Sequence, residues 1–477
     1  MSLVNNEIRE YLTSLYGKDS VNKYEEFIKK NSTIYLRVNT LKTNKLDLIE
    51  SLEKQYGILC KEIENIPNAL KVVEGDKIVG KTIQHIIGQY YIQGLSSMIP
   101  PLVLSSTSKD KVLDLCAAPG SKTTELGEMM ENKGTLIANE IQHNRVNMLV
   151  YNIDRINLVN AAVTHNRGEW LNRYFSEYFD KILVDAPCSG LGIIHKKDEI
   201  NNWWSLERAK ILGDLQYMLL ISAIKMLKVG GELVYSTCTL TPEENEIILN
   251  KILDKYSLEV CEIRLPVKSH HALTEYNGVK LNPSLKFAKR ILPWENDSDG
   301  FFIIKLIKTE STQSPKQVKT KIKSKTLNPD NQKIKSFLAN IYQDFGIDKD
   351  VLKEFRFTIN GNNIFFINKN FEIDNLDIFH RFGVRFGKVD NHGNTILHSQ
   401  AAEILGKNIT KSIYKLKSSD DLKTYIGGGR IKELSLNGRQ CVVKYKNTIL
   451  GTAAITKTGI KSRFPRAKRT QNILIKK

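Results

Sequence analysis

Apolar residues recur along this chain at two spacings, and the alternation between them predicts its elements. Ile8, Leu12 and Leu15 repeat at helical intervals, so residues 1 to about 30 are predicted to be helical. Residues 33–39 (TIYLRVN) alternate as a strand does, and 45–56 read as a helix. From residue 111 strand and helix patterns take turns. Strands are predicted at 111–115, 135–139, 181–185 and 232–236, and helices at 121–130, 144–154 and 205–227. The last helix carries Leu212, Leu215, Leu219 and Leu220, and Gly230-Gly231 is expected to stop it. Such alternation predicts a mainly parallel, doubly wound α/β sheet. Ligands in these sheets sit beyond the carboxyl ends of the strands, so the chemistry is expected in the loops after Leu115, Asn139, Val184 and Tyr235.

The pattern then breaks. Residues 308–333 (KTESTQSPKQVKTKIKSKTLNPDNQK) hold no aromatic residue, two prolines and many lysines, a composition that cannot bury a core and reads as a basic linker. A second globular segment begins near Ile334. Its short β-like runs FRFTI, NIFFI and CVVKY are separated by NGN, GGG and NG turns, which predicts a small α+β or β-barrel module. The expected division is a small N-terminal α/β domain at 1–105, the larger α/β domain at 106–307, the linker at 308–333 and the C-terminal module at 334–477.

Charge narrows the choice of partner. Lys and Arg number 70 against 52 Asp and Glu, a formal net charge of +18, which fits a polyanion. None of the six cysteines forms a CxxC pair, so no metal is expected. The polar, amphipathic start has no signal-peptide run, and no stretch is long and apolar enough for a membrane helix. The reading is of a cytoplasmic chain with reduced thiols and no membrane partner.

Three loops carry candidate chemistry. Residues 112–126 (VLDLCAAPGSKTTEL) run from a strand through small residues into a helix, where backbone can approach a ligand and free amides point at it. The spacing is neither GxGxxG nor the phosphate-binding GxxxxGK[ST]. Glu140 ends the next strand, about 20 residues past the glycine, where an acid can accept bonds from ribose hydroxyls. An adenosine-containing cofactor is expected, with a dinucleotide and S-adenosylmethionine both open at this point. Residues 181–192 (KILVDAPCSGLG) place Asp185 at a strand end and Cys188 just after it. Residues 230–246 (GGELVYSTCTLTPEENE) place Cys238 past the following strand, with Thr241, Pro242 and Glu244 resembling a helix cap. Either cysteine alone is most simply a small buried hydrophobe. As a pair on one rim of one sheet, with Asp185 close by, they point to chemistry.

DLCAAPGSKT, DAPCSG and YSTCT, in this order, resemble the Nop/Sun family of RNA cytosine-5 methyltransferases. The resemblance covers roughly residues 1–307 and includes RVNTLK at 37–42, GQYYIQGLSSM at 88–98 and RILPWENDSDGFF at 290–302. The C-terminal GIKSRFPRAKR at 459–469 resembles the PUA-like RNA-binding extensions of some members. The resemblance implies a Rossmann-like methyltransferase sheet flanked by RNA-binding modules, with S-adenosyl-L-methionine as the cofactor. By the same resemblance Cys238 is the nucleophile that adds to carbon 6 of the base, Cys188 assists breakdown of the covalent adduct, and Asp185 contacts the ring near its amino edge. It assigns the cofactor to the loop of Cys116, Ala117, Ala118, Pro119, Gly120, Ser121 and Lys122, gives the ribose to Glu140, and sets Arg145 near it. The family has a further acid after the third strand, near the adenine. Here 163–171 reads VTHNRGEWL, with Arg167 at that position and Asn166 beside it, a departure from the pattern.

Phosphate contacts are expected from Lys196-Lys197, Lys289-Arg290, the linker lysines, Arg463, Arg466, Lys468 and Arg469, which makes RNA binding salt-dependent. Trp203-Trp204 read as helix-start packing, and His270-His271 lack further metal ligands. The expected partner is structured RNA, ribosomal ahead of transfer RNA, bound by a monomer. Two alternatives remain: a methyltransferase acting on another base or on protein, which needs no cysteine pair, and an RNA-binding ribosome-assembly factor that keeps the fold without turnover.

Overall fold

The computed structural model describes residues 4–30, 32–313, 316–318, 326–373, 376–433, 436–469 and 473–474. Residues 314–315 and 319–325 of the expected linker, with four of its lysines, lie outside the described residues.

Asn5 opens helix α1 (Asn6–Tyr16) by accepting the Ile8 amide, as an N-cap should, and Gly17 turns the chain into α2 (Lys18–Lys29). Their apolar faces (Ile8, Leu12, Val21, Tyr24 and Phe27) pack on Leu191, Ile194, Trp204 and Leu240. The Tyr24 and Tyr16 hydroxyls donate to the carbonyls of Leu191 and Leu240. The N-terminal helices therefore buttress the loops that follow Cys188 and Cys238. A four-stranded antiparallel sheet comes next: β1 (Tyr35–Val38), β2 (Leu59–Glu62), β3 (Ala69–Glu74) and β4 (Tyr90–Ile92), in the order β2-β3-β1-β4, with α3 (Lys45–Tyr56) attached. Helix α4 (Leu95–Leu104) leaves this sheet and packs against the central one.

The central sheet is built on five parallel strands: β5 (Lys111–Asp114), β6 (Thr135–Asn139), β7 (Ala161–Thr164), β8 (Phe179–Asp185) and β9 (Leu227–Thr237), in the order β9-β8-β5-β6-β7. Alternate residues feed two cores, as period-2 side chains must. Leu113, Ile137, Ile182, Leu233 and Tyr235 face the long helix 206–226. Val112, Leu136, Leu183 and Val234 face α4 and the helix His143–Ile156. Strand β10 (Phe301–Lys308) pairs antiparallel with β9 at one side. The long helix ends at Met226, and Gly230-Gly231 lie inside β9 instead of terminating it. Leu227 is already extended and pairs with Phe179, so strand pairing ends the helix ahead of the glycines.

The C-terminal region forms a four-stranded antiparallel sheet (355–397) and a five-stranded sheet (413–462). FRFTI, NIFFI and CVVKY lie in the strands Phe355–Asn360, Asn363–Asn368 and Gln440–Tyr445. Several contacts among the described residues join it to the rest. Strand β11 (Phe379–Phe382) pairs antiparallel with β7 and so extends the central sheet. Leu36, Val38 and Tyr90 share a core with Tyr425, Val443 and Phe464. The Glu403 carboxylate sits between the Lys42 and Lys468 ammonium groups, each at 3.3 Å. Lys468, expected to grip phosphate, is only 4% exposed and is committed to that junction. Among the described residues no helix is long and apolar enough to cross a membrane.

Two buried charges carry predictions. Burial pulls the Lys42 ammonium down to about 7 against the lift from Glu403. Removing the acid leaves two buried cations without a counter-charge, so Glu403→Ala is expected to cost about 3–5 kcal/mol in urea unfolding; a loss under 1 kcal/mol contradicts this role. Asp114, at the end of β5, is 1% exposed and accepts the Thr123 hydroxyl at 2.6 Å. Burial raises its carboxyl from 3.8 to about 7. A raised acid makes the folded state bind a proton that the unfolded state releases, so its contribution falls as pH rises from about 4 to 7. Across that window Asp114→Asn should gain on the wild type by up to about 4 kcal/mol. A difference between the two that stays flat with pH contradicts the assignment.

Candidate functional site

All three predicted loops leave the same rim. In-register parallel pairing sets Asp185 of β8 beside Ser236 of β9. The Ala186 amide donates to the Ser236 carbonyl before the loops part. A few residues further on, the sulfurs of Cys188 and Cys238 lie 3.1 Å apart as free thiols. Loop 187–192 is drawn tight against loop 238–241, with the Gly192 amide donating to the Cys238 carbonyl at 3.0 Å. A Cβ on Gly192 would stand 2.8 Å from that oxygen and closer still to the Gly300 carbonyl, so only glycine allows the approach.

Glu244 sets the loop from below. Its fully buried carboxylate accepts the Ser189 amide at 2.8 Å, Gln216 Nε2 at 3.0 Å, the Thr241 hydroxyl at 2.7 Å and the Ser189 hydroxyl. Burial raises this carboxyl, opposed by those donors. Gln216 also donates to the Pro187 carbonyl at 2.8 Å. The sequence pattern makes Glu244 part of a helix cap, whereas its carboxylate holds the Cys188 loop. The hydrogen bond with Cys238, then burial, then the charge of Cys238 push the Cys188 thiol well above its ordinary range, so Cys188 holds its proton beside its neighbour.

Two cavities meet at the cysteines. A cleft of about 860 Å³, within the about 300–1,000 Å³ of small-molecule sites, is lined by Cys116, Ala118, Pro119, Glu140, Arg145, Arg167, Asp185, Cys188 and Cys238 among others. A smaller cavity of about 210 Å³ is lined by Ser97, Asp114, Lys122, Asp185, Lys196, Asp299, Phe301 and Cys238. Cys116, Asp185 and Cys238 border both. In the cleft Glu140 accepts the Gln142 amide at 2.8 Å, and the Arg145 guanidinium lies 3.3 Å from it while donating to the Ala118 carbonyl. In the small cavity Lys122 donates to Asp185 Oδ2 at 2.8 Å and Ser97 Oγ at 2.9 Å, and sits 5.1 Å from the centre of the Phe301 ring. Ser236 donates to Asp185 Oδ1 at 2.8 Å. Burial pulls the Lys122 ammonium down, and the Asp185 carboxylate outweighs this and lifts it above its ordinary value.

The predicted residues divide between these spaces. Ala117, Ser121 and Lys122 line the small cavity alone, and Lys122 reaches Asp185 in place of the cleft. Gly120 lines neither; it caps helix 121–129 with φ +107° and lies against Leu149. Arg167 borders the cleft but is turned outward, over the Trp170 ring at 4.3 Å and onto Glu169. Arg290 is no surface phosphate contact: it is 3% exposed and bound to Glu246. Trp204 packs near the Tyr11 ring as expected, whereas Trp203 lines the cleft. Sequence reasoning misses the roles of Ser97 and Phe301, although the segments 88–98 and 290–302 contain them, and that of Glu244 in the third motif. Among the described residues no group of three or more His, Cys, Asp or Glu side chains is arranged to hold a metal ion.

Known proteins are similar to this chain in sequence and fold. The family described as 16S rRNA methyltransferase RsmB/F matches residues 101–307. A tRNA (cytosine(49)-C(5))-methyltransferase of Pyrococcus abyssi is 36% identical over 307 residues, covering 63% of this chain and 97% of its own length. A ribosomal RNA small subunit methyltransferase F of Shewanella sp. (strain MR-4) is 31% identical over 446 residues and covers 90% of both chains. The crystal structure of NSun6 from Pyrococcus horikoshii, solved with the S-adenosylmethionine analogue SFG, is similar with a TM-score of 0.56 and 25% identity, covering 65% of this chain and 100% of that one. A rim that joins two cysteines to a cleft of small-molecule size, and relatives that align along nearly their whole lengths, agree: the chain belongs to the RsmB/F–NSun family of S-adenosylmethionine-dependent RNA (cytosine-5) methyltransferases.

Proposed function

We propose that this chain methylates carbon 5 of a cytosine in ribosomal RNA through a covalent adduct between Cys238 and the base. The observation that carries the reading is the 3.1 Å approach of Cys188 and Cys238 at the junction of the two cavities. The large cleft suits the cofactor. The short side chains of Cys116, Ala118 and Pro119 let it approach the backbone closely, and the buried Glu140 offers acceptors for ribose hydroxyls. S-adenosylmethionine supplies a methyl group on a positively charged sulfur. The small cavity suits a cytosine taken out of its stack, as base-modifying enzymes require.

Carbon 5 of cytosine is a poor nucleophile within the aromatic ring. The Cys238 thiolate adds to carbon 6, the ring loses aromaticity, and carbon 5 becomes enamine-like and takes the methyl group. Asp185, held by Lys122 and Ser236, meets the ring at its amino edge, and a proton carried there neutralises the adduct. A base, water in the simplest case, then takes the carbon 5 proton, and the freed electron pair re-forms the carbon 5–carbon 6 double bond as the carbon 6–sulfur bond breaks. Cys188, kept protonated beside Cys238, assists this release by donating its proton to the Cys238 sulfur as the carbon 6–sulfur bond breaks, so that Cys238 leaves as a thiol. Ribosomal RNA is favoured over transfer RNA because the Shewanella relative, named for ribosomal RNA, aligns through the C-terminal module. The transfer-RNA relative covers only 63% of the chain. We assign RNA contact to that module and to the exposed Lys197, Arg466 and their neighbours.

Incubated with S-adenosylmethionine and RNA transcripts, Cys238→Ala should transfer no methyl group. Cys188→Ala should accumulate a protein–RNA band that survives a denaturing gel. A wild-type chain that labels no cytosine in any RNA sinks the reading, and an adduct formed by Cys238→Ala reverses the two roles.

A further inference from the structure

Sheet order lays the carboxylates of the cleft out in a line. Along the rim run β8, β5, β6 and β7, so Asp185 stands at the cysteine end, the loop 115–120 next, Glu140 beyond it, and the turn after β7 last. A cofactor whose methyl group reaches Cys238 and whose ribose meets Glu140 must place its base against that last turn. The turn holds Glu169. Its side chain is only 8% exposed, yet it lines the cleft with Leu115, Ile141 and Leu219 as apolar walls. Gly168, just before it, packs so closely that a Cβ would lie 2.7 Å from Leu219 Cδ2, which fixes the backbone there. Arg167 grips one oxygen only: Nε donates to Oε1 at 2.6 Å, and the guanidinium is braced on Trp170. The other oxygen, Oε2, has no partner among the described residues.

We infer that Glu169 reads the exocyclic amino group of the cofactor's adenine through Oε2, with Arg167 as its positioning residue. The inference rests on the S-adenosylmethionine reading of the cleft and adds which side chain selects the base. A buried carboxylate flanked by apolar walls accepts an amino hydrogen and repels a carbonyl, so it distinguishes adenine from its 6-oxo counterpart. Arg167 occupies the position where the family pattern has an acid. Pointed outward, it does not meet the base; it orients the acid two residues later.

The test measures, by titration calorimetry on the full chain, the affinities for S-adenosylhomocysteine and for S-inosylhomocysteine, which carries oxygen in place of the amino group. Wild-type protein should prefer the adenosyl compound by about tenfold to a hundredfold, the worth of one hydrogen bond to a charged group. In Glu169→Gln the amide oxygen stays with Arg167 and the amide nitrogen turns to the base. The preference should therefore collapse or invert. A ratio of affinities does not depend on how much of the variant is folded. An unchanged ratio in Glu169→Gln, with wild-type protein binding S-adenosylhomocysteine, overturns the assignment of Glu169 alone. Wild-type protein that binds neither compound overturns the cofactor reading and the assignment together.

Discussion

Everything at the site depends on the in-register parallel pairing of β8 with β9. That register sets Asp185 beside Ser236, and the two loops then leave the rim side by side, with Cys188 and Cys238 within contact of each other. Side chains alternate between faces of a strand, so a slip of one residue would turn Asp185 out of the small cavity and separate the sulfurs. The register is held from both sides. The apolar residues of β8 and β9 are buried in two cores, and Glu244 ties Ser189, Gln216 and Thr241 into one buried network beneath the Cys188 loop. Hydrogen bonds buried in this way are stronger than the same bonds in water. All four donors to Glu244 come from segments that carry or support the cysteines.

The same logic extends outward. Two N-terminal helices close over the loops that carry the cysteines, and the C-terminal region adds a strand to the far edge of the central sheet. Lys42, Glu403 and Lys468 pin the N-terminal and C-terminal parts together away from water. Buried ion pairs of this kind add little stability over an apolar contact but tolerate no loss of a partner. Their effect is to fix the surfaces proposed to hold RNA relative to the cavity proposed to take the base.

Much of this is legible in the sequence where local rules govern. Strand and helix alternation from 111 onward matches the parallel sheet, because each element's apolar period is set by its own burial. The general behaviour of such sheets places the loops on one rim. Non-local features are not legible. Gly230-Gly231 look like a helix stop, and pairing of Leu227 with Phe179 ends the helix first. Glu244 looks like a cap because its spacing from Thr241 fits one, and only the folded chain brings Ser189 to it. Lys468 and Arg290 look like phosphate ligands because a basic residue shows its charge in sequence but not its partner, here Glu403 and Glu246. The addition of Phe379–Phe382 to the central sheet has no local signal. The departure at Arg167 is visible, while the answering carboxylate of Glu169 needs the cleft to be seen.

Cys238 is the residue proposed to join the base, and Cys188 the one proposed to free it. RNA carrying 5-fluorocytosine tests this most directly, since fluorine in place of the carbon 5 proton blocks the elimination step and leaves the attacking thiol bonded to the ring. After reaction with S-adenosylmethionine and digestion, mass spectrometry should find the methylated fluoropyrimidine on the peptide that contains Cys238, with Cys188 unmodified. The adduct on the Cys188 peptide would contradict the account.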